Sequence, residues 1–234
     1  MAINNEIKFH RYNKEAITKQ YNDFYIDNDF IRFRRSEEQF VRYLLKNYFS
    51  ENYKNLLDIG CGTGKYTNIF SNQGIESTGI DISDTGIKIA KDKYPSANFI
   101  KDDALNLKLN KKFDIIFCSG LSLFNEKDLS VLKPMIKSHL NLLQKRGLYI
   151  FVKTTSLTGA ENKTRSRFDH KLKSYKRFFE NTEQLIHIKS YTLYPQFFLL
   201  NRYLPLIPLY QLFSVLICSA TRIPLRVIQI YKKK

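Results

Sequence analysis

Between Leu56 and Lys153, short apolar runs alternate with stretches whose apolar positions recur at helical spacing. Leu56 to Ile59 reads as a buried strand, and Lys65 to Asn72 as a helix that stops at Gly74. Glu76 to Ile80 is a second strand ending at Asp81. Ser83 caps a helix reaching about Tyr94, where Pro95 stops it. Asn98 to Lys101 is a third strand. Phe113 to Cys118 is a fourth, apolar almost throughout, as a parallel strand covered on both faces should be. A helix from about Lys127 to Leu143 ends at Gly147, and Leu148 to Lys153 is a fifth strand. Such alternation predicts an α/β fold: a doubly wound, mostly parallel sheet with helices on both faces.

The two ends depart from the alternation. Within residues 1–52, Phe40, Val41, Leu44, Leu45 and Tyr48 mark a helix capped by Ser36, so this part is expected to form a helical cap. Asn181 is expected to cap a short helix through Ile186, before a sixth strand at Ile188 to Leu193. Leu225 to Tyr231 reads as the final, seventh strand. The expected organisation is one domain, its core at 53–193 and 223–234, with an apolar insertion at 194–222.

The glycine-rich run after the first strand carries the chemistry. In Asp58-Ile59-Gly60-Cys61-Gly62-Thr63-Gly64 a strand stops at a loop almost without side chains, and a helix follows. A ligand can lie against such a backbone because no Cβ stands in the way. Asp81 and Asp103 end the next two strands, on the same sheet edge. A carboxylate there can accept both hydroxyls of a ribose. The spacing is GxGxG with Lys65 where a dinucleotide fingerprint needs glycine, which disfavours hydride transfer. A phosphate-cradling GxxxxGK followed by Ser or Thr is absent.

LLDIGCGTG, GIDIS, DDALNL and FDIIFCSG, in this order and each after its own strand, resemble the class I S-adenosylmethionine-dependent methyltransferases with a seven-stranded fold. The resemblance covers roughly Lys54 to Lys153. It implies that Gly60, Cys61, Gly62 and Gly64 line the methionine part of S-adenosylmethionine, with Asp58 orienting its amino group. Asp81, with Ile82 beside it, would hold the ribose. Asp103 and Ala104 would flank the adenine, and Ser119 and Gly120 would border the sulfonium and the acceptor. Asp102 reads as a solvated neighbour. Tyr12, Tyr21 and Tyr25 are candidates to fold over the cofactor from an N-terminal lid.

Methyl transfer draws mainly on proximity and alignment, and a base matters only when the acceptor must lose a proton early. His139 falls in a helix and reads as structural. His170 is a weak candidate base, and His10 and His187 are no better. Cys61, Cys118 and Cys218 are widely spaced without a CxxC pair, so no metal site or disulfide framework is expected and a reducing interior is. The N-terminal residues lack the apolar core of a secretory signal. The expected location is cytoplasmic, with peripheral membrane contact.

The acceptor is written less clearly. Thirty-eight Lys and Arg against 22 Asp and Glu give a formal charge of +16, favouring an acidic partner. A general richness in Lys, Asn, Ile and Tyr raises the charge equally well. Lys163, Arg165, Arg167, Lys171, Lys173, Lys176 and Arg177 form a basic stretch expected on the rim of the active edge. From Ser190 to Thr221 the single charge is Arg202. A helix from Pro208 to Ser219 would be only about 18 Å long, too short to span a bilayer core of about 30 Å but able to lie at an interface. A cover for the core, a pocket wall or a dimer face would use the same residues. The combination suits a small-molecule or lipid-like, anionic acceptor, with contact to an anionic membrane. The alternatives are an RNA methyltransferase using the basic rim on phosphates, and a non-catalytic regulator of the same fold. An Asn/Asp-Pro-Pro-Tyr signature for amide or nucleobase nitrogens is absent; CSGLSLF stands in its place.

Overall fold

The structure is a computed structural model, described for residues 13–27, 35–49, 51–155, 160–162, 167–193 and 225–234. Five parallel strands build the half of the sheet that carries the glycine loop: β1 (Asn55–Ile59), β2 (Glu76–Asp81), β3 (Asn98–Lys101), β4 (Phe113–Ser119) and β5 (Leu143–Thr155). Two more, β8 (Leu185–Leu193) and β9 (Leu225–Lys233), complete a seven-stranded sheet of order β3-β2-β1-β4-β5-β9-β8. Strand β9 runs antiparallel between β5 and β8, which makes the sheet mixed at that side. Two short strands, β6 (Ala160–Asn162), just before the basic stretch, and β7 (Arg167–Asp169), within it, form a separate antiparallel pair where the sequence pattern predicts no strand.

The order reverses between β1 and β4. Strands β2 and β3 extend to one side and β5 to the other, so the carboxyl ends of β1 and β4 leave a crevice between diverging loops. Side-chain alternation feeds two cores. On one face Leu56, Ile115, Phe117 and Ile150 pack under α2 (Arg35–Tyr48) and α3 (Lys65–Ser71), through Phe40, Val41, Leu44 and Phe70. On the other, Leu57, Ile116, Tyr149 and Phe151 pack under α5 (Lys133–Leu142) and α6 (Leu172–Glu180), through Ile136, Leu140, Tyr175 and Phe179. Leu56 and Leu57 are consecutive and both wholly buried, as a strand covered on both faces requires; each contributes roughly 1.5–3 kcal/mol. Helix α4 (Asp84–Lys93) covers the far side through Ile87 and Ala90 against Phe99. Asn55 and Asp114 fix the register of β1 and β4. The Asp114 carboxylate accepts from the amides of Lys54 and Asn55, and the Asn55 side-chain carbonyl oxygen accepts from the Asp114 amide.

Four expected elements differ. Ser36 does not cap α2 but lies inside it, because the helix begins at Arg35. The helix expected from Lys127 begins at Lys133 with Pro134 in its first turn, and two 3-10 turns, Ser122–Asn125 and Leu129–Leu132, precede it. Strand β5 starts at Leu143, so Gly147 lies within the strand and does not end the helix. There a Cβ would stand 2.7 Å from the Asp114 carbonyl oxygen, and glycine allows the close approach of β4. Asn181 lies at the carboxyl end of a helix, not at the start of one: α6 spans Leu172–Glu180 and buries Tyr175, Phe178 and Phe179. The apolar insertion at 194–222 lies outside the described residues. Among the described residues, no helix is long and apolar enough to cross a membrane.

Candidate functional site

A cleft of about 840 Å³ opens at the carboxyl edge of β1, β2 and β4, within the range of ligand sites. Gly60, Asp81, Ile82, Asp103, Ala104 and Ser119 of the expected site line it, together with Asp102, Gly120 and Leu121. Helix α1 (Lys14–Asp27) forms the opposite wall through Ile17, Gln20, Tyr21, Phe24 and Tyr25. The strand ends hold this geometry without help from the helix. Gly60 and Cys61 donate their amides to the Ile80 carbonyl, and Asp102 donates its own to the Asp81 carbonyl, so the three loops are tied in series.

Asp81 organises the centre. One carboxylate oxygen accepts the Gly62 amide at 2.9 Å, and the other accepts the Ser83 amide at 2.9 Å. Burial raises its pKa, while those amides pull it back toward the ionised form. Ser83 caps α4 as expected: its hydroxyl accepts the Gly86 amide at 3.0 Å and donates to the Asn22 side chain at 2.7 Å. Through Asn22, which also accepts the Thr85 amide, α1 is fastened to the start of α4. Lys14 at the other end of α1 lies 3.3 Å from a carboxylate oxygen of Asp103. The second Asp103 oxygen accepts the Leu105 amide. Asp102 is turned to its own loop, accepting the amides of Asp103 and Lys108.

Asp58, Cys61, Gly62 and Gly64 do not line the cleft. Asp58 is 1% exposed and accepts the Thr67 hydroxyl at 2.7 Å; burial pushes its carboxyl up to about 7. Gly62 lies behind Tyr25: φ is +55°, and a Cβ would stand 2.6 Å from the Tyr25 hydroxyl. Tyr25 also packs on Gly86, and its phenol pKa is raised by burial first and then by Asp81. Gly64 leads into α3 at φ +81°, with no room for a side chain between Phe99 and Ala90. Burial raises the Cys61 thiol well above its ordinary value, which keeps it neutral and poorly nucleophilic.

The histidines are built into the scaffold. His139 is fully buried; its Nε2 donates to the Ala104 carbonyl at 2.8 Å, and burial lowers its pKa to about 4. His170, the candidate base, is not part of the cleft lining. Its Nε2 donates to the Glu126 carbonyl at 2.7 Å, its ring packs on Phe168 and Tyr175, and burial lowers its pKa. Two cations near the β4 end fall outside the expected site. Lys153 is 5% exposed and donates to the Leu121 carbonyl at 2.7 Å. Arg226, second residue of β9, reaches across β5 to Ser119. A lone lysine closing the apolar run LYIFVK is the available signal for Lys153. Among the described residues, no cluster of His, Cys, Asp and Glu could hold a metal ion.

Residues 56–147 match the family described as Methyltransferase domain. The chain is similar to malonyl-[acyl-carrier protein] O-methyltransferase 2 of Ilyobacter polytropus, 40% identical over an alignment of 100 positions that covers 36% of this chain and 38% of that protein. It is similar to the ubiquinone/menaquinone biosynthesis C-methyltransferase UbiE of Campylobacter jejuni, 23% identical over 58% of this chain and 68% of that protein. Across several curated relatives the match spans only 34% to 48% of the relative's length. Among solved structures, magnesium protoporphyrin IX methyltransferase (ChlM) of Synechocystis PCC 6803 with bound SAM has the same fold. The TM-score is 0.65 at 14% identity, over 97% of this chain and 100% of that one.

Proposed function

We propose that this chain, which belongs to the class I S-adenosylmethionine-dependent methyltransferases, transfers the methyl group of S-adenosylmethionine to a small, anionic or lipid-linked acceptor. The observation that carries this is the cleft, where Asp81 ends β2 and Asp103 lies in the loop just after β3, on one sheet edge. The residues fit the cofactor. Each Asp81 oxygen accepts a backbone amide, and a carboxylate oxygen has a further lone pair with which to accept a ribose hydroxyl. Gly120, at φ +75°, leaves open space in the cleft wall: among the described residues, its chain neighbours aside, no atom lies within 4 Å of where a Cβ would be.

Bound there, the cofactor supplies an electrophilic methyl group on a sulfonium. Asp81 would hold the ribose, and Asp103, which pairs with Lys14, would accept from the adenine amine. Tyr21 and Tyr25 exclude water from the α1 side. Ser119 and Gly120, at the end of β4, would border the methyl group and the acceptor. The chain supplies alignment here, and His170 is assigned no proton transfer. The names of the curated relatives, which include an acyl-carrier and a quinone methyltransferase, favour a small acceptor over RNA.

The test is thermal shift with S-adenosylmethionine and S-adenosylhomocysteine. A ligand at about 100 times its Kd adds about 2.7 kcal/mol to stability. Asp81→Ala is expected to remove most of the shift. Absence of a shift in the wild-type protein would refute the cofactor assignment. Flotation with anionic vesicles reads the lipid-facing part, and steeply salt-dependent binding of RNA would favour the nucleic-acid reading instead.

A further inference from the structure

Consecutive residues at the end of β4 and beyond it, Ser119 to Leu123, line the cleft. The chain leaves the sheet at Gly120, whose amide still donates to the Val152 carbonyl at 2.8 Å and whose φ of +75° turns it out of the strand. From there side chains meet the loop's carbonyls. The Leu121 carbonyl accepts from Lys153 Nζ at 2.7 Å, and the Gly120 carbonyl lies 3.5 Å from the same nitrogen. The Phe124 carbonyl accepts from the Tyr175 hydroxyl at 3.3 Å, and the Glu126 carbonyl from His170 Nε2 at 2.7 Å. All three donors lie past the last pair of β4 with β5, Ser119 with Val152. Lys153 follows that pair directly, His170 follows β7, and Tyr175 belongs to α6. The Thr155 hydroxyl, from the end of β5, donates to the carbonyl of His170 itself.

We infer that Lys153, His170 and Tyr175 are positioning residues, which clamp the loop after β4 by its carbonyls and so fix the wall along which cofactor and acceptor are aligned; this rests on the methyltransferase reading above. Burial gives the first argument. Lys153 is 5% exposed, His170 is buried, and Tyr175 is wholly so. An ammonium taken out of water is costly, and an apolar side chain would fill the same space at less cost. What the ammonium adds is a donor to loop carbonyls, and hence their placement. Reach gives the second. A Cβ built on Gly60 would stand 3.1 Å from Leu121 Cδ1, so Leu121 rests directly over the glycine loop. A shift of Leu121 therefore changes the width of the cleft between β1 and β4. The far end of the loop is anchored by Phe124, wholly buried with its ring centre 4.7 Å from that of Phe151. Alignment is the main thing a protein supplies to methyl transfer, and a misplacement of about 1 Å can cost about 100-fold.

Hydrogen exchange read by mass spectrometry, on the full chain without ligand, tests the clamp itself. Lys153→Met keeps the length of the side chain and removes its charge and donors. The amides of residues 120–126 are expected to exchange about ten-fold faster in this variant, while those of β1 and β2 keep their rates. Lys153→Arg, which restores a cationic donor, should recover most of the protection. Isothermal titration with S-adenosylhomocysteine reads the consequence. Binding should weaken about ten-fold in Lys153→Met, the scale of one charged hydrogen bond, and stay within about three-fold of wild type in Lys153→Arg. Tyr175→Phe keeps the ring in the core and removes the donor to Phe124. It should loosen the loop to a lesser degree, and it serves should the Met variant fail to fold. Unchanged exchange in the loop would overturn the proposal, and weakened binding beside it would assign Lys153 to direct contact with the ligand. Faster exchange with unchanged affinity would also overturn it, leaving the clamp a role in stability alone. If the wild-type protein does not bind S-adenosylhomocysteine, the methyltransferase reading fails, and the exchange rates decide the clamp separately.

Discussion

Replacing Asp58 by asparagine should make the chain's stability respond to pH in a way the wild-type protein's does not. Asp58 lies near the end of β1 in full burial, and its carboxyl is pushed from an ordinary 3.8 up to about 7, chiefly by loss of water. A carboxyl with a raised folded-state pKa binds protons more tightly in the native chain than in the unfolded one. Its contribution is therefore most favourable below about pH 4 and is lost as pH rises toward 7. At about 1.4 kcal/mol per unit the loss amounts to roughly 4 kcal/mol, of which about 3 falls between pH 5 and 8. His139 works in the opposite sense. Its pKa is lowered to about 4 by burial, so its contribution is gained as pH rises from 4 to about 6.5, worth roughly 3 kcal/mol. In the wild-type protein the two slopes largely cancel.

The introduced asparagine would not ionise, and its carbonyl oxygen could still accept the Thr67 hydroxyl. Its amide brings a new buried donor that costs roughly 1–3 kcal/mol if left unpaired, but this cost does not vary with pH. The assay is urea unfolding of wild type and Asp58→Asn at several pH values from 5 to 8. The stability difference, variant minus wild type, is expected to rise by about 3 kcal/mol across that range. The variant alone should gain stability between pH 5 and 6.5, as the uncancelled His139 slope emerges. A difference that stays flat with pH would refute the reasoning, because it would mean that Asp58 is ionised in the native state throughout.

Two glycines with nearly the same backbone separate strain from crowding. Gly64→Ala, at φ +81° with Phe99 2.6 Å and Ala90 2.8 Å from the added carbon, should cost more than about 3 kcal/mol. Gly74→Ala, at φ +84° in open space, should cost only about 1–2 kcal/mol, and thermal melts of the pair measure the gap. His139→Leu leaves the Ala104 carbonyl without its buried donor and should cost roughly 1–3 kcal/mol. Because Ala104 lines the cleft, calorimetry should also show weaker S-adenosylhomocysteine binding.

What can be read along the chain is whatever neighbouring residues decide among themselves. Strands β1 to β4 announce themselves by apolar runs, the Ser83 cap by its place before an amphipathic stretch, and the acidic strand ends by Asp81 and Asp103. Helix α6 escapes the expected pattern because Lys173, Lys176 and Arg177 dominate its composition, while Tyr175, Phe178 and Phe179 mark its buried face at helical spacing. Charge draws attention to the solvent side, although the periodicity of the aromatics is the structural signal. The withdrawal of Asp58 from the cleft depends on Thr67, on the inward face of α3, and nothing in the glycine motif distinguishes a carboxylate that meets a ligand from one that meets a helix. Arg226 is beyond reach for a different reason. Its contact with Ser119 spans 107 positions and exists only because β9 enters antiparallel beside β5. Strand order at that side is set by how the connections cross the sheet, which no local pattern records. The cofactor half of the cleft is thus assembled from loops that follow their own strands and is legible in order. Arg226 is brought to Ser119 by a strand returning from the end of the chain, and its place there is a property of sheet topology more than of any motif.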